Sequence, residues 1–475
     1  MTRINTNVAS LYAQQGLAAS NRSLNTSLQR LSTGLKINSG ADDPAGLIAS
    51  EGLKSEMAGI STAINNSQQA SNVISTADGA LGEVSSLLQT ITGLVDQAAN
   101  SGAMSPDEIA ANQLQVDSAV QTITRISNST EFNGLHLIDG SLDYLTSGVN
   151  STAIQGLTIS QADLGTNTSM PVQVNVMTSA KPATLEFTAS AVHSPVTLQI
   201  QGTQGTQSLS FTSGTTASAI AFAINTNSDS TGVTAALNNP ANAASGIALT
   251  STGYGSSSFV SVQAQTGTFN TVTTTGAAKT RETGTDAVAT INGQVVVGDG
   301  LELKLNTSSL NVDMTLSSKF GAGKTSFAIT GGGAAFQLGP EVTSSEQISI
   351  GVQSVAADKL GNKTLGFLSD IVTGGSASLV SGNAAKASQI VSDAITQVSN
   401  LRGSLGAFES DTLNTNIDSL NVALENVTSS QSSIADTDFA AETANLSRAQ
   451  ILVQAGTSVL ATANSTPQNV LHLLQ

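Results

Sequence analysis

A long heptad stripe near the N-terminus is the feature that most restricts how this chain can fold. Small and apolar residues recur from Ala63 to Ala98 at alternating steps of four and three, across about five heptads. A helix with such a stripe needs a partner helix, because the stripe would otherwise face water along its whole length. The stripe consists of Ala63, Ser67, Ala70, Ile74, Ala77, Leu81, Val84, Leu88, Ile91, Val95 and Ala98.

The C-terminal part of the chain carries two stripes of the same kind. The first runs from Ala387 to Phe408, and the second runs from Leu413 to Ile434 after a phase shift of one residue. Because stripes at both ends of the chain need cover, we predict an antiparallel helical bundle or coiled coil formed by the two termini. Its predicted seam comprises Ile74, Leu81, Val84, Leu88, Ile91 and Val95, together with Leu413, Ile417, Leu420, Leu424 and Val427.

Local signals mark where two of the predicted helices begin. Ser105 is a favourable N-cap, Pro106 suits the first helical position, and Glu108 completes a capping box. Asp43 followed by Pro44 marks another helix start by the same logic.

Between the helical ends the chain changes to short alternating runs rich in Thr, Ser, Gly and Val, which are typical of antiparallel strands. The runs are Val172–Val176, Thr197–Ile200, Ser208–Phe211, Ala287–Ile291 and Leu301–Leu305. One short helix is expected near Ala217–Asn225, and Asn133-Gly134 and Asp139-Gly140 predict a hairpin after the N-terminal helices. The predicted fold class is α+β, with a β-rich central insert of one or two subdomains.

Charge and composition argue against several classes of function. The formal net charge is −16, whereas binding to nucleic acid requires clustered Lys and Arg. No stretch approaches the ~20 apolar residues of a membrane span, so no membrane partner is expected. The chain has no Cys, which excludes disulfides and Cys-ligated metals.

The beginning of the chain has an unusual charge pattern. Its first 41 residues contain Arg3, Arg22, Arg30 and Lys36 but no acidic residue. They lack the compact apolar core and cleavage site of a secretory leader. An organelle transit peptide is the alternative interpretation of this segment.

Apolar stripes also lie at the extreme ends of the chain, near Val8–Leu31 and Leu446–Leu474. The last amphipathic helix is expected from about Asp438 to Asn464, with Thr466-Pro467 capping a short apolar tail. Because nothing obvious in the sequence covers these stripes, they would be frayed in a monomer and would order against neighbouring copies. The residues predicted for this assembly role are Val8, Leu11, Leu17, Leu24, Leu28, Leu31, Leu35, Leu446, Ala449, Leu452, Val453, Val459, Leu460, Val470, Leu471 and Leu474.

Both ends of the chain resemble bacterial flagellins. Leu28–Gly46 (LQRLSTGLKINSGADDPAG) resembles the family's signature segment, and Thr130–Gly134 (TEFNG) resembles the turn after its N-terminal helices. At the C-terminus, Ser447–Leu460 (SRAQILVQAGTSVL) and Pro467–Leu471 (PQNVL) are similarly close. In the middle, Ser218–Ala235 resembles the short insert repeat of filament and hook-associated proteins.

The resemblance implies a structural subunit that polymerises with itself into the flagellar filament and is not an enzyme. By this resemblance, residues 1–43 with 436–475 form inner-tube helices, disordered in the monomer. Residues 44–145 with 335–435 form the outer-tube bundle and hairpin, and 146–334 form the surface-exposed insert. The implied partners are an export chaperone, the type III export gate, and the filament-cap and hook–filament junction proteins. The implied location is extracellular, in the filament.

The resemblance also implies recognition by host flagellin receptors. Plant receptors recognise the signature segment, from which Gly40 and Pro44 depart here. The vertebrate flagellin-sensing Toll-like receptor contacts an Arg and a Glu whose places are taken by Thr90 and Gln115. We therefore expect weak stimulation, because two charge-assisted contacts are lost. The receptor-like residues are Gln29, Arg30, Leu31, Lys36, Ile37, Asn38, Asp42, Asp43, Gly46, Gln89 and Leu94.

No catalytic, metal or cofactor site is predicted. His136, His193 and His472 are far apart in sequence, and no His-Glu-x-x-His motif is present. Asp42-Asp43 is a candidate for a bound cation, but helix capping explains Asp43 more simply. Two other classes of protein are alternatives: a surface adhesin, suggested by the Ser/Thr/Gly-rich middle, and a hook–filament junction or filament-cap protein. The second is the main alternative to a filament subunit.

Overall fold

The computed structural model describes residues 6–100, 102–165, 167–242 and 245–472, with side chains through Thr466. The α-helices among these residues are α1 (Val8–Thr33), α2 (Pro44–Ala99), α3 (Pro106–Ser129), α4 (Ala217–Thr226), α5 (Ser228–Thr231), α6 (Ala384–Ala407), α7 (Thr415–Ala435) and α8 (Phe439–His472). A π-helix, Phe408–Asn414, joins α6 to α7. Short 3₁₀ helices lie at Ser344–Glu346, Leu368–Ile371 and Leu379–Ser381.

The strands occupy the part of the chain between the long helices. They are β1 (Glu131–Phe132), β2 (Leu135–His136), β3 (Tyr144–Ser147), β4 (Ile154–Ala162), β5 (Met170–Thr178), β6 (Pro182–Phe187), β7 (Val196–Gln201), β8 (Thr206–Phe211), β9 (Val233–Leu237), β10 (Ile247–Tyr254), β11 (Phe259–Thr266), β12 (Val272–Thr273), β13 (Arg281–Thr283), β14 (Val288–Ile291), β15 (Gln294–Val297), β16 (Glu302–Asn306), β17 (Leu310–Leu316), β18 (Gly323–Gly332), β19 (Ala334–Gln337), β20 (Gln347–Ile350), β21 (Gly361–Asn362) and β22 (Gly366–Phe367). Helical ends around a β-rich middle confirm the predicted fold class.

The chain divides into two compact units. The first comprises the described residues within Met1–Gln69, Gln337–Glu346 and Asp411–Gln475, and the second those within Ala70–Phe336 and Gln347–Ser410. The boundaries fall inside α2 and inside the π-helix.

The heptad stripe of α2 is buried as predicted. Every member from Ala63 to Ala98 is at most 5% exposed. In the second unit, Arg402 of α6 donates to Asp78 of α2 at 2.8 Å, and Ser71 of α2 donates to Glu409 at 2.6 Å. Since the partner numbers fall as the α2 numbers rise, α2 and α6 are antiparallel. In the first unit, Ile60 and Ala63 of α2 share a core cluster with Leu420 of α7, with Leu424 and Val427 packed against it.

The predicted helix starts are also confirmed. Pro44 opens α2, and Asp43 Oδ1 accepts from the Gly46 amide at 2.9 Å. At α3, Ser105 and Glu108 form the complete capping box, with Pro106 as the first helical residue. These caps satisfy amides that have no partner inside the helix.

The one-residue phase shift between the C-terminal stripes coincides with the π-helix. Phe408 and Leu413 are five residues apart, yet both are buried, at 8% and 0% exposure. A π turn closes a hydrogen bond over five residues instead of four, so it accommodates one extra residue in a continuous helix. The stripes before and after the shift therefore both face inward.

Two separate hydrophobic cores form in the β-rich part of the second unit. One lies between a five-stranded sheet (β15-β14-β5-β18-β3) and a three-stranded sheet (β16-β17-β4). The other lies between two four-stranded sheets (β12-β6-β10-β9 and β13-β11-β7-β8) and includes residues of α4. The predicted strand runs lie in β5, β7, β8, β14 and β16, and α4 is the predicted short helix.

The predicted hairpin forms at Asn133-Gly134 but not at Asp139-Gly140. Asn133-Gly134 joins β1 to β2, and Asn292-Gly293 joins β14 to β15, each with positive φ at both turn residues. Gly140 also has positive φ, but the turn at Asp139-Gly140 does not join two paired strands.

The predicted stop at Thr466-Pro467 is wrong, because α8 continues to His472. Pro467 has no N–H, so the carbonyl of Ala463 has no helical donor at that position. Asn7 supplies one instead: its Nδ2 donates to the Ala463 oxygen at 2.7 Å. The same Asn7 side chain caps α1 by accepting from the Ser10 amide at 3.0 Å.

Deleting one residue distinguishes the π-helix from the α-helix before it. Deletion of Thr412 leaves Phe408 and Leu413 four residues apart, which is α-helical spacing, so we expect an unchanged or higher unfolding midpoint. Deletion of Thr396 in α6 turns every later seam residue by about 100° and should cost more than about 4 kcal/mol. Thermal melts followed by circular dichroism compare the two. Equal destabilisation would contradict this explanation of the phase shift.

Candidate assembly surface

Helices α1 and α8 lie side by side and run in opposite directions within the first unit. Asn7 bonds near the end of α8, Leu17 contacts the middle of α8 at Gly456, and Arg30 pairs with Glu442 near its start. The two ends of the chain therefore cover one another along most of their length.

Small side chains line the face of α1 that is turned inward. Its buried or half-buried positions at steps of three and four are Ser10, Ala13, Leu17, Ser20, Leu24, Ser27 and Leu31, and Thr26 and Arg30 beside them are also half-buried. Ser10 and Ser27 are only 7% and 3% exposed. Small residues at a helix contact allow the two backbones to approach closely.

The inward face of α8 has the same character. Leu446, Val453 and Leu460 are half-buried and Ala449 is buried at 2% exposure. At Gly456, a Cβ atom would lie 3.3 Å from Leu17 Cδ1. Glycine at this position therefore allows the close contact with α1.

A short antiparallel clasp fixes the segment that follows α1 against the end of α7 and the link that leads to α8. Leu35 and Asp436 form an isolated β-bridge, and the Lys36 amide donates to the Ala435 oxygen at 2.7 Å. Nearby, the Glu442 carboxylate, which is 9% exposed, lies 3.8 Å from the Arg30 guanidinium. A carboxylate buried this far needs a cation close by.

Several large apolar side chains of the pair remain exposed. On α1, Val8, Leu11 and Leu28 are 49%, 57% and 48% exposed. On α8, Leu452 and Val459 are 50% and 57% exposed. Exposed apolar side chains of this kind, here called the exposed surface of the pair, indicate an interaction site.

The structure divides the predicted assembly residues into two groups. Those that face the other terminal helix of the same chain, or the clasp, are Leu17, Leu24, Leu31, Leu35, Leu446, Ala449, Val453 and Leu460. Those on the exposed surface are Val8, Leu11, Leu28, Leu452 and Val459. The side chains of Val470 and Leu471, and all of Leu474, lie outside the described residues.

Sequence reasoning missed two residues of the exposed surface. Tyr12 and Ile451 are 72% and 67% exposed. Tyr12 directly follows the predicted residue Leu11, and Ile451 directly precedes the predicted residue Leu452. A strict heptad pattern omits both. A wider apolar stripe, three positions in every seven, would have included such neighbours.

The bundle seam and the receptor-like residues are placed as follows. Leu413 and Leu420 are buried, whereas Ile417, Leu424 and Val427 are half-buried. Of the receptor-like pair on α2, Gln89 is exposed and Leu94 is buried at 8% exposure.

The signature segment between α1 and α2 is a compact turn organised by one carboxylate. Asp42 Oδ2 accepts from the amides of Asn38 and Ser39 at 3.1 and 2.8 Å, and from the Ser39 hydroxyl at 3.0 Å. The Ser39 hydroxyl bond and the two amide bonds lower the pKa of Asp42 below its usual 3.8. Ile37 is buried at 6% exposure, while Gln29, Lys36 and Asp42 itself are exposed.

No other chemistry is evident in the part of the chain that the structure describes. Within it, no group of three or more His, Asp or Glu residues is arranged to hold a metal ion. None of the described helices is long and apolar enough to cross a membrane.

Comparison with known proteins identifies the family. The family model of the bacterial flagellin N-terminal helical region matches residues 4–143, and that of the flagellin C-terminal helical region matches 388–474. The model of the flagellin hook IN motif matches 197–253. B-type flagellin of Pseudomonas aeruginosa is 32% identical over 529 aligned positions, which cover 99% of each chain. The chain belongs to the bacterial flagellin family.

Further flagellins match over the same extent. Flagellin of Salmonella rubislaw is 30% identical and flagellin A of Helicobacter pylori is 27% identical, each over 99% of both chains. The chain is therefore a structural subunit of the bacterial flagellar filament, which the end-to-end matches favour over a junction or cap protein. The flagellin family is structural.

Solved structures are similar to this flagellin only weakly. FliC from Burkholderia pseudomallei has a TM-score of 0.25 and 15% identity, covering 73% of this chain and 99% of its own. The FliD cap protein of Escherichia coli has a TM-score of 0.30 and 20% identity, covering 46% of this chain and 64% of its own. At these scores neither structure supports an inference.

The turn held by Asp42 should loosen in acid. Because the folded-state pKa is lowered, the carboxylate's stabilising effect is complete above about pH 4 and is lost as pH falls through the folded pKa. We expect smaller protection factors at the Asn38 and Ser39 amides below that pH, with each exchange rate compared with that of an unstructured amide at the same pH. Asp42→Asn should show the smaller protection factors already at neutral pH. Exchange in that variant that equals the parent's at neutral pH would contradict the assignment.

Proposed function

We propose that this flagellin assembles through the exposed apolar surface of its paired terminal helices, which packs on neighbouring copies in the filament. The observation that carries the proposal is the division of α8 into two faces, since Ala449 and Gly456 face α1 while Leu452 and Val459 face outward. At about 25 cal/mol per Å², a few hundred Å² of apolar contact yields several kcal/mol before ordering costs are subtracted. Repeated contacts in a lattice multiply this stabilisation.

The family resemblance supports a tubular arrangement for the filament. We propose that residues 1–43 with 436–475 form an inner tube, and that 44–145 with 335–435 form an outer tube. Residues 146–334 then face the medium. A head-to-tail contact that does not close into a ring generates such a helical polymer.

The same resemblance supports export and capping partners. We propose that the chain is exported unfolded by the flagellar type III system, with an export chaperone and the export gate as partners. It then functions outside the cell, in contact with the filament-cap and hook–filament junction proteins. The acid-free first 41 residues are compatible with a segment that is unfolded before assembly.

We also propose that host flagellin receptors respond unequally to this chain. The signature segment keeps exposed Gln29, Lys36 and Asp42. On the outer-tube helices, Thr90 and Gln115 are exposed where a receptor would contact Arg and Glu, so the Toll-like receptor response is expected to be weak.

Electron microscopy of purified protein tests the assembly surface. The full-length chain should elongate fragmented filaments of the same protein, whereas a chain lacking the first and last 40 residues should stay monomeric. Leu452→Ser with Val459→Ser should reduce elongation strongly, because it removes apolar contact area without touching the α1 contact.

Gln454→Ser is the matched control, because it alters an exposed polar residue of the same helix. Circular dichroism verifies that each variant keeps its helices. Normal elongation by the truncated chain or by the double variant would refute the proposal, and no elongation by the intact chain would favour the junction or cap alternative.

A gain-of-function pair tests the receptor interpretation. Thr90→Arg with Gln115→Glu restores both charged groups, so a reporter-cell assay for the Toll-like receptor should give a stronger response than the parent chain. Single variants should give intermediate responses. A parent response equal to that of a strong flagellin would overturn the expectation of weak recognition.

A further inference from the structure

Charge is segregated within the first compact unit, and the terminal helix pair holds the basic part. Residues 6–41 and 443–466 contain no carboxylate side chain. Their basic residues are Arg22, Arg30, Lys36 and Arg448. Arg30 is paired with Glu442 inside the chain, whereas Arg22, Lys36 and Arg448 are exposed.

The rest of this unit is strongly acidic. Residues 42–69, 337–346 and 411–442 carry twelve carboxylates and one basic side chain, Lys54. Lys54 is itself paired with Glu51 at 2.9 Å. One compact unit therefore presents a basic surface and an acidic surface.

The outward face of α8 combines a cation with apolar side chains. Arg448, Leu452 and Val459 are separated by four and seven residues, which places them on one stripe of the helix. All three are exposed. We name Arg448, Leu452 and Val459 the α8 outer stripe.

The outward face of α7 has the complementary composition. Asp418, Val422 and Glu425 are separated by four and three residues, so they also share one stripe. Val422 is 59% exposed, and both carboxylates are exposed. Leu420 lies on the opposite side of α7 and is buried against α2. We name Asp418, Val422 and Glu425 the α7 outer stripe.

We propose that the α8 outer stripe of one copy docks on the α7 outer stripe of another copy. Leu452 packs against Val422, and Arg448 lies between or beside the two carboxylates. This inference rests on the proposed function, because it names the surfaces through which copies meet. The occupant is a second copy because each stripe carries what the other lacks, and because the chain polymerises. Since the two stripes are different, the contact is head-to-tail and remains open for further copies.

Charge reversal and charge exchange test the pairing. The critical concentration for polymerisation is measured by sedimentation with fragmented filaments of the same protein as seeds. Arg448→Glu alone and Asp418→Arg alone should each raise it about fivefold, which corresponds to ~1 kcal/mol. Arg448→Glu combined with Asp418→Arg should recover at least half of the loss, because the pair is restored with its signs exchanged.

Ionic strength supplies an independent readout. Between about 10 mM and about 150 mM NaCl, the screening length falls from about 30 Å to about 8 Å. The critical concentration of the parent and of the exchanged pair should rise with salt, whereas that of each single reversal should fall. Glu302→Arg is the control, because it changes the net charge by the same amount and sign as Asp418→Arg but at an exposed position on β16. Its critical concentration should equal that of the parent. Circular dichroism is used to check that each variant is folded.

The outcomes separate this inference from the proposal it rests on. Suppose that the parent forms filaments, but the combined variant has a critical concentration as high as the two single effects together predict, or neither single reversal changes it. The docking of these stripes is then overturned, and assembly by the terminal helices stands. If the parent does not elongate seeds at any salt concentration, the proposed function itself is overturned.

Discussion

Helix α2 has one face that must be covered along its entire length, and much of the helical architecture follows from that requirement. Leu81, Val84 and Leu88 have no exposed surface. A helix of 56 residues cannot bury such a stripe against local segments alone, so the chain has to return from a distance to supply its partners. That return brings α6 and α7 against α2. The β-rich part of the chain therefore lies, in sequence, between helices that contact one another.

The terminal pair obeys the same geometry with much less burial. The inward-facing leucines of this pair, such as Leu17 and Leu24, are only half-buried, whereas Leu81 and Leu88 of the α2 seam have no exposed surface. Because less apolar area is removed from water, the pair gains less from its own contact than the bundle does. What it leaves exposed is apolar and basic, while the neighbouring helical surface is acidic. The bundle around α2 therefore stabilises the single chain, whereas the α1–α8 pair keeps apolar and basic side chains exposed for contact with other copies.

The sequence was sufficient wherever a single periodic signal dominated. The α2 stripe, the Ser105 capping box and the phase shift before Leu413 were all predicted correctly, because each depends on local spacing. The continuation of α8 through Pro467 was not predictable, since the donor that replaces the missing Pro467 N–H comes from Asn7, more than four hundred residues away. For the same reason the assembly residues could be predicted, but not divided into those that face the other terminal helix and those that are exposed. Only the position of α1 shows that Val453 faces inward and Leu452 outward.

The pairing of β3 with β18 has a consequence for how this chain can vary. The segment between these strands begins and ends on a paired edge, where Ser147 lies opposite Ala328 in the register, and it contributes β5, β14 and β15 to the same sheet. The two ends of the segment between β3 and β18 are therefore adjacent. The entropic cost of bringing such ends together changes only slowly with the length of the segment. A foreign domain that supplies its own core and whose termini are close together could replace that segment, and if the segment faces the medium as proposed, the filament would display the domain as a regularly spaced array.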